Sequence, residues 1–264
     1  MKVWVNTIVN NEENFLWFAV TSIIDYVDKV LIWDTGSTDK TVQIAKDLQV
    51  KYKSKILFKE IGKVNAKKFP QIRQKMIEQS DCDWILILDG DEIWWKNSIK
   101  KIISKIKENS NKAEGIVVPM IVPVGDIFHI QEEKAGQYYI LGRTGHLSLK
   151  AFSKKIPGLH VSWPYGKEGF FDNENRLIQQ RENMIFLDTP FLHVTHLERS
   201  TLSREYNKFK YEIGKKVDKD FKFPEVLYKD YPSYIHSPWG KIGGLKKITA
   251  SFLSPFRKIK RRII

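Results

Sequence analysis

Residues 84–92 read WILILDGDE: five uncharged positions from Trp84 to Leu88, then three acids, Asp89, Asp91 and Glu92, within four residues. An apolar run of this length, stopped by a turn signal, has the pattern of a strand buried on both faces, as in parallel sheets. Upstream, KVWVNTIV (2–9), KVLIWD (29–34) and KILFKEI (55–61) have strand character. FLWFAVTSIIDYV (15–27), TVQIAKDLQVKY (41–52) and FPQIRQKMIEQS (69–80) repeat apolar residues at helical spacing. This alternation predicts an α/β fold with a sheet covered by helices on both faces. Ligands of such sheets sit beyond the carboxyl ends of the strands. The polar loops 10–13, 34–39 and 89–92 all follow strands and are expected at one edge. Ser37 or Thr38 is the expected cap of the 41–52 helix, with Asp39 in its first turn, where the helix dipole favours an acid.

The chain has 264 residues, 42% of them apolar, with 8 Trp, 10 Tyr and 15 Phe, enough to build a large core. Its one cysteine, Cys82, excludes an internal disulfide and fits a reducing compartment. No apolar run approaches the roughly 20 residues that span a bilayer. The opening MKVWVNTIVNN interrupts its apolar pattern with Asn too early for a signal peptide, so a cytoplasmic protein is expected.

After Trp95 a basic helix, SIKKIISKIKEN (98–109), leads into EGIVVPMIVPV (114–124), a strand pair or one long strand. Beyond about residue 126 Gly, His and aromatic residues are spread without a clear period. Residues 96–240 are expected to extend the sheet of residues 1–95 as a second half of one domain, with 241–264 as a separate basic tail.

Acids at a strand end are most simply solvated turn residues, and Asp-Gly is a turn signal in its own right. Three clustered carboxylates nevertheless repel one another unless a cation or strong donors offset them, and close oxygen ligands suit a hard divalent ion such as Mg²⁺ or Mn²⁺. The following IWW (93–95) sets aromatic surface beside the acids, as a sugar or a base would require. A strand, a turn and a helix cap account for Gly36, Ser37 and Asp39 in DTGSTDKT (34–41). Asp34, at the strand's end, needs a donor partner that these features do not supply, and a nucleobase or ribose offers one.

In their order, VNNEENFL (9–16), VLIWDTGSTDKTVQIAKD (30–47) and FPQIRQKMIEQSDCDWILILDGDEIW (69–94) resemble the family-two glycosyltransferases with the GT-A fold. The resemblance covers roughly residues 2–95 and implies a Rossmann-like mixed sheet flanked by helices, in a single main domain with a C-terminal extension. It implies that Asn11 and Glu12 lie under the nucleoside, that Asp34 binds the base of a nucleotide sugar, usually uracil, and that Arg73 lies near the donor. Asp89 and Asp91 would form the DxD motif, Asp89 nearer the ribose and Asp91 on a Mn²⁺ or Mg²⁺ ion that bridges the diphosphate. Residues 1–95 would then be the nucleotide-sugar-binding half and 96–240 the acceptor-side half. The reaction expected is inverting transfer, from a donor taken to be UDP-linked, to a glycan or lipid-linked acceptor.

The acceptor half matches more loosely. Relatives carry Trp-x-Gly and a His-Glu pair; LKAFSKKIPGLHVSWPYGKEGFFD (149–172) follows that outline with Lys167-Glu168 in its place. Glu168 is the first candidate for the base and Asp172 the second, against the reading that both are solvated loop acids. In FLHVTHLERS (191–200) two histidines three apart point to opposite faces of a strand. His196, at the strand's end and before LERS, is the expected metal ligand; His193 is expected to pack under the loop. Trp94, Trp95, Trp163 and Tyr165 are candidates to stack on sugars, with at least half of them expected in the core. Arg143 and His146 in GRTGH (142–146) are read either as anion or acceptor contacts or as a turn.

The net charge is +13, and the stretch from Lys241 to the end, with eight Lys or Arg and no acid, supplies eight of those charges. Its apolar residues recur every three or four positions, the pattern of a helix at an anionic membrane surface, although Gly243, Gly244 and Pro255 interrupt it. Two other readings fit less well. A nucleotidyltransferase-like enzyme would carry a Gly-rich basic loop after its first strand, where NNEEN is acidic. A nucleic-acid-binding module would use the positive charge, but the acid cluster repels phosphates and no recognition motif is present, so no nucleic-acid partner is expected.

Overall fold

The computed structural model describes residues 1–109, 112–201 and 212–263. In chain order its elements begin β1 (Val3–Val9), α1 (Leu16–Ile23), β2 (Lys29–Asp34), α2 (Thr41–Lys51), β3 (Ile56–Glu60), α3 (Phe69–Gln79), β4 (Trp84–Ile87), β5 (Glu92–Trp94) and α4 (Lys96–Asn109). They continue with β6 (Gly115–Ile121), β7 (Pro123–Val124), β8 (Asp126–Ile130), β9 (Tyr138–Ile140), β10 (Arg143–Gly145) and β11 (Leu147–Ser153). The last are β12 (His160–Ser162), β13 (Gly169–Phe171), β14 (Met184–Phe186), β15 (Phe191–His193), β16 (Lys215–Lys216) and α5 (Gly244–Ile263).

One mixed sheet organises the molecule, in the order β3-β2-β1-β4-β11-β6-β15-β5 with β14 added beside β6. The strands β3, β2, β1 and β4 are parallel. β11 runs antiparallel between β4 and β6, so the second half of the chain continues the sheet of the first. All seven residues of β1 and all four of β4 are buried, as two covered faces require. α4 shows how the cover is made: Ile99, Ile102, Ile103 and Ile106, at helical spacing, are buried while its lysines stay outside. Each such side chain contributes roughly 1.5–3 kcal/mol.

The register decides what meets at the carboxyl edge. Val9 pairs with Asp34, and Asn6 pairs with Ile87, so the chain leaves β1, β2 and β4 at nearly one level. Gly90 sits where the edges converge: a Cβ there would lie 2.8 Å from Cγ of Glu12, which explains the glycine between the two aspartates.

Two local expectations are corrected. Neither Ser37 nor Thr38 caps α2, whose preceding residue is Lys40. The Ser37 hydroxyl instead accepts the Asn11 N–H at 2.9 Å, and the first N–H groups of α2 are met by Asp39 (to Thr41, 2.9 Å) and Glu13 (to Lys40, 3.2 Å). In the tail, α5 runs unbroken through Pro255. The glycines fall at its start, Gly244 with φ +53°, while Pro255 inside it forgoes the bond to the carbonyl four residues back and crowds that carbonyl.

Candidate active site

Three loops are stitched together at the sheet edge. Asn11 adopts the left-handed conformation, φ 55°, and its side-chain oxygen accepts the Thr38 N–H at 2.8 Å and the Asp39 N–H at 3.3 Å. An asparagine tolerates that backbone and reaches across the gap, which fixes the NNEEN loop to the TGSTD loop. Asp34 is 2% exposed, and the donors it requires come from its own turn: Gly36 N–H at 2.8 Å and Ser37 N–H at 3.0 Å. The turn itself thus supplies donors that it was not expected to offer, because Gly36 at φ +91° folds two amides back onto the carboxylate. Glu13 accepts the Thr201 N–H at 2.8 Å and its hydroxyl at 2.6 Å, tying the loop after β15 to the same edge.

The acids of WILILDGDE divide into two groups. Glu92, 1% exposed, receives Lys150 Nζ on both oxygens at 2.5 and 2.6 Å, and its Oε2 also accepts the Asp89 N–H at 3.1 Å. Lys150 reaches it because β11 shifts register between Leu149 and Ala151. The bulge re-aims one side chain into the sheet. Burial raises the Glu92 pKa against the opposing pull of Lys150. Substituting Lys150→Met is expected to cost about 3–5 kcal/mol in chemical denaturation by stranding a buried carboxylate. The double variant Lys150→Met/Glu92→Gln should recover most of that loss, since Gln still accepts the Asp89 N–H.

Asp91, 2% exposed, belongs to the second group. His193 Nε2 lies 3.4 Å from its Oδ1, and Arg199 Nη1 lies 3.4 Å from its Oδ2. Arg199 Nη1 also stands 2.5 Å from Oε1 of Glu12. Glu12 is 5% exposed and its Oε2 has no hydrogen-bond partner among the described residues. Burial, reinforced by Asp91, pushes the Glu12 carboxyl well above the usual range despite Arg199. Burial disfavours the His193 imidazolium, but Asp91 outweighs it and raises its pKa. Asp89 is only half-buried, at the mouth. Glu12 and Asp91 thus share the guanidinium of Arg199.

His193, expected only to pack under the loop, stands beside Asp91. β15 pairs antiparallel with β5 in the register His193↔Glu92, and Val194 N–H donates to the Asp91 carbonyl at 2.9 Å, so His193 is the cross-strand neighbour of the acidic turn. His196 lies past that strand and bridges to Val124. Lys150 and Arg199 were not singled out from the sequence. The LERS motif held a signal for Arg199, whereas nothing local announced the bulge at Lys150.

Arg73 of α3 is 6% exposed, with its guanidinium 5.1 Å from the Phe69 ring and 5.9 Å from that of Phe170. Its Nη2 stands 3.9 Å from Oε1 of Glu168. The other Glu168 oxygen accepts the Gly166 N–H at 2.5 Å. Tyr165, 49% exposed, packs edge-on to Phe69 at 4.7 Å, and its phenol bears on the charge of Arg199. The 163–168 loop thus holds Glu168 beside Arg73, while Tyr165 of the same loop is within electrostatic reach of Arg199.

Asp172 is corrected as a candidate base. Its carboxylate is wholly buried and accepts the N–H groups of Glu174 and Arg176, while Arg176 and Arg181 ion-pair with it at 3.1 and 2.7 Å. Burial alone would raise its pKa, but these donors hold it well below the usual carboxylate range, which makes it a poor proton acceptor. A depressed pKa contributes stability that is complete above the unfolded value of about 3.9 and is lost as pH falls toward the folded one. Asp172→Asn is accordingly expected to lower the melting temperature at pH 7, with the deficit to wild type shrinking as pH drops below about 3.9 in a series of thermal melts.

Of the four aromatic candidates, Trp94 is in the core, stacked on Phe191 at 4.9 Å, and Trp95 is half-buried with its Nε1–H donated to the Lys222 carbonyl at 2.8 Å. Trp163 and Tyr165 are exposed beside Glu168. GRTGH supplies Gly142 to the β9–β10 turn and then forms β10, with Arg143 over the Phe186 ring at 4.3 Å and His146 Nε2 3.2 Å from the Glu132 carbonyl.

Residues 5–160 match the family described as glycosyl transferase family 2. An uncharacterized glycosyltransferase of Rickettsia typhi is 34% identical over 93 residues, 34% of this chain and 28% of that protein. The prophage-derived glycosyltransferase SunS of Bacillus subtilis is 29% identical over 99 residues, 36% of this chain and 21% of its own length. The matched stretches thus span under a third of these relatives. Among solved structures, S. aureus TarS 1-349 in complex with UDP-GlcNAc superposes with a TM-score of 0.52 at 15% identity, over 80% of this chain and 62% of that one, a likeness of fold.

Proposed function

The chain belongs to glycosyl transferase family 2, and from that premise we propose that it moves a sugar from a nucleotide-activated donor, UDP-linked, to a glycan or lipid-linked acceptor with inversion. The observation that carries the reading is Asp91, buried at the meeting of three loops with His193 on one oxygen and Arg199 on the other.

A divalent ion, Mn²⁺ or Mg²⁺, fits these residues. Among the described residues no three His, Cys, Asp or Glu side chains converge as a complete metal cage. Sites for such ions commonly use one or two protein ligands and leave the rest to water and substrate phosphates. Asp91 and His193 would hold the ion, and the unpartnered Glu12 Oε2 marks a place where positive charge is wanting. When bound, it would supply Lewis-acid stabilisation of the departing diphosphate.

The chain's own groups do the remainder. Asp34 and Asn11 would take the base and nucleoside, Asp89 the ribose side, and Arg73 the donor's flank. Arg199, already among the acids, is placed to turn its guanidinium to phosphate oxygens. Glu168 would accept the proton of the acceptor hydroxyl as that oxygen attacks the anomeric carbon. The bond from that carbon to the nucleoside diphosphate breaks on the opposite face, hence inversion. His193→Gln is expected to raise the Mn²⁺ concentration for half-maximal turnover by about tenfold or more, and His196→Gln to leave it nearly unchanged. A direct test of the reaction class is release of nucleoside diphosphate from a set of nucleotide sugars, with and without Mn²⁺. No release from any donor under either condition would contradict it.

A further inference from the structure

The face of α5 turned away from the body carries four large apolar side chains: Ile248 (67% exposed), Phe252 (70%), Phe256 (59%) and Ile259 (54%). At about 100° per residue these fall within an arc of roughly 80°. The opposite side is the anchored one: Ala250 is fully buried, and Ser254, 7% exposed, accepts the Ile213 N–H at 2.8 Å while donating to the Ala250 carbonyl at 2.6 Å. The helix is therefore held to the protein by small residues and presents its apolar stripe outward. The Phe252 and Phe256 rings, 5.6 Å apart, are exposed side by side. Such a stripe is costly in water unless something covers it.

We infer that α5 lies in the surface of an anionic lipid bilayer, with these four side chains in the acyl boundary and the tail's cations at the headgroups. Charge decides the occupant: the chain from Lys241 onward has eight Lys or Arg and no acid. A second copy docked on the same stripe would bring two such sets of cations together with no counter-ion between them. A convex, narrow stripe also suits a fluid interface, into which a helix sinks by one face. No helix among the described residues is long and apolar enough to cross a membrane, so the contact is on the surface. This inference does not depend on the transfer reaction.

The test is co-sedimentation of the full chain with vesicles of phosphatidylcholine containing phosphatidylglycerol, beside vesicles of phosphatidylcholine alone. Binding to the mixed vesicles is expected, weakened by added salt, with far less binding to the neutral ones. Phe252→Ser/Phe256→Ser should cut the partition coefficient by about tenfold or more while thermal melting stays near wild type, since both positions are exposed. Failure to sediment with the anionic vesicles, or undiminished sedimentation of the double variant, would overturn the inference. So would a dimer in light scattering that the double variant dissociates without any vesicle binding, because the stripe would then belong to a second copy. Loss of transfer with vesicle binding intact would count against the catalytic reading alone.

Discussion

Asp91→Ala is expected to lower kcat/KM for sugar transfer by about 10³-fold or more and to remove the dependence of donor binding on Mn²⁺. The size follows from what Asp91 does in the proposed reaction. The departing nucleoside diphosphate gathers negative charge in the transition state, and stabilising that charge in a buried site is worth far more than in water. Asp91 is the carboxylate flanked by both His193 and Arg199, so no neighbour can take over its position. The variant takes from Arg199 one of its two carboxylate partners, and Asp91→Asn, of the same volume, serves as the control for folding. Normal turnover by either variant, with a native melting profile, would remove the metal from the proposed mechanism.

Glu168→Gln should keep donor affinity and lose transfer by about 10²-fold or more. Gln preserves the shape of the side chain and its acceptance of the Gly166 N–H but cannot take a proton. The effect should fall on kcat with KM for the donor little changed, because the role proposed for the residue is at the acceptor hydroxyl. Asp172→Asn gives the contrast: its carboxylate is consumed by Arg176 and Arg181, so its loss should appear in stability before it appears in the chemical step. If Glu168→Gln turned over at the wild-type rate, the base would lie elsewhere on the acceptor side.

What was legible in the sequence was whatever local pattern determines. The strands at 29–34 and 84–87 and the helix of FPQIRQKMIEQS follow from period and punctuation, and the parallel order of β2, β1 and β4 then carries Asn11, Asp34 and Asp91 to one edge. The errors arose where pairing between distant segments decides. That His193 faces Asp91 depends on β15 lying antiparallel to β5, about a hundred residues earlier in the chain. Lys150 becomes the partner of Glu92 only because a bulge turns it inward. Asp172 looks like a loop acid until Arg181 and Glu114, brought together by the fold, enclose it. Ser37 has the composition of a helix cap, but the left-handed Asn11 offers its amide first.

The central claim is that this sheet edge binds a nucleotide sugar through a divalent ion held at Asp91. Calorimetric titration of UDP into the protein, with and without Mn²⁺, for wild type and for Asp91→Ala, tests it most directly. The account predicts that Mn²⁺ tightens UDP binding by about tenfold or more in wild type and has no effect in the variant; equal binding in all four titrations would contradict it.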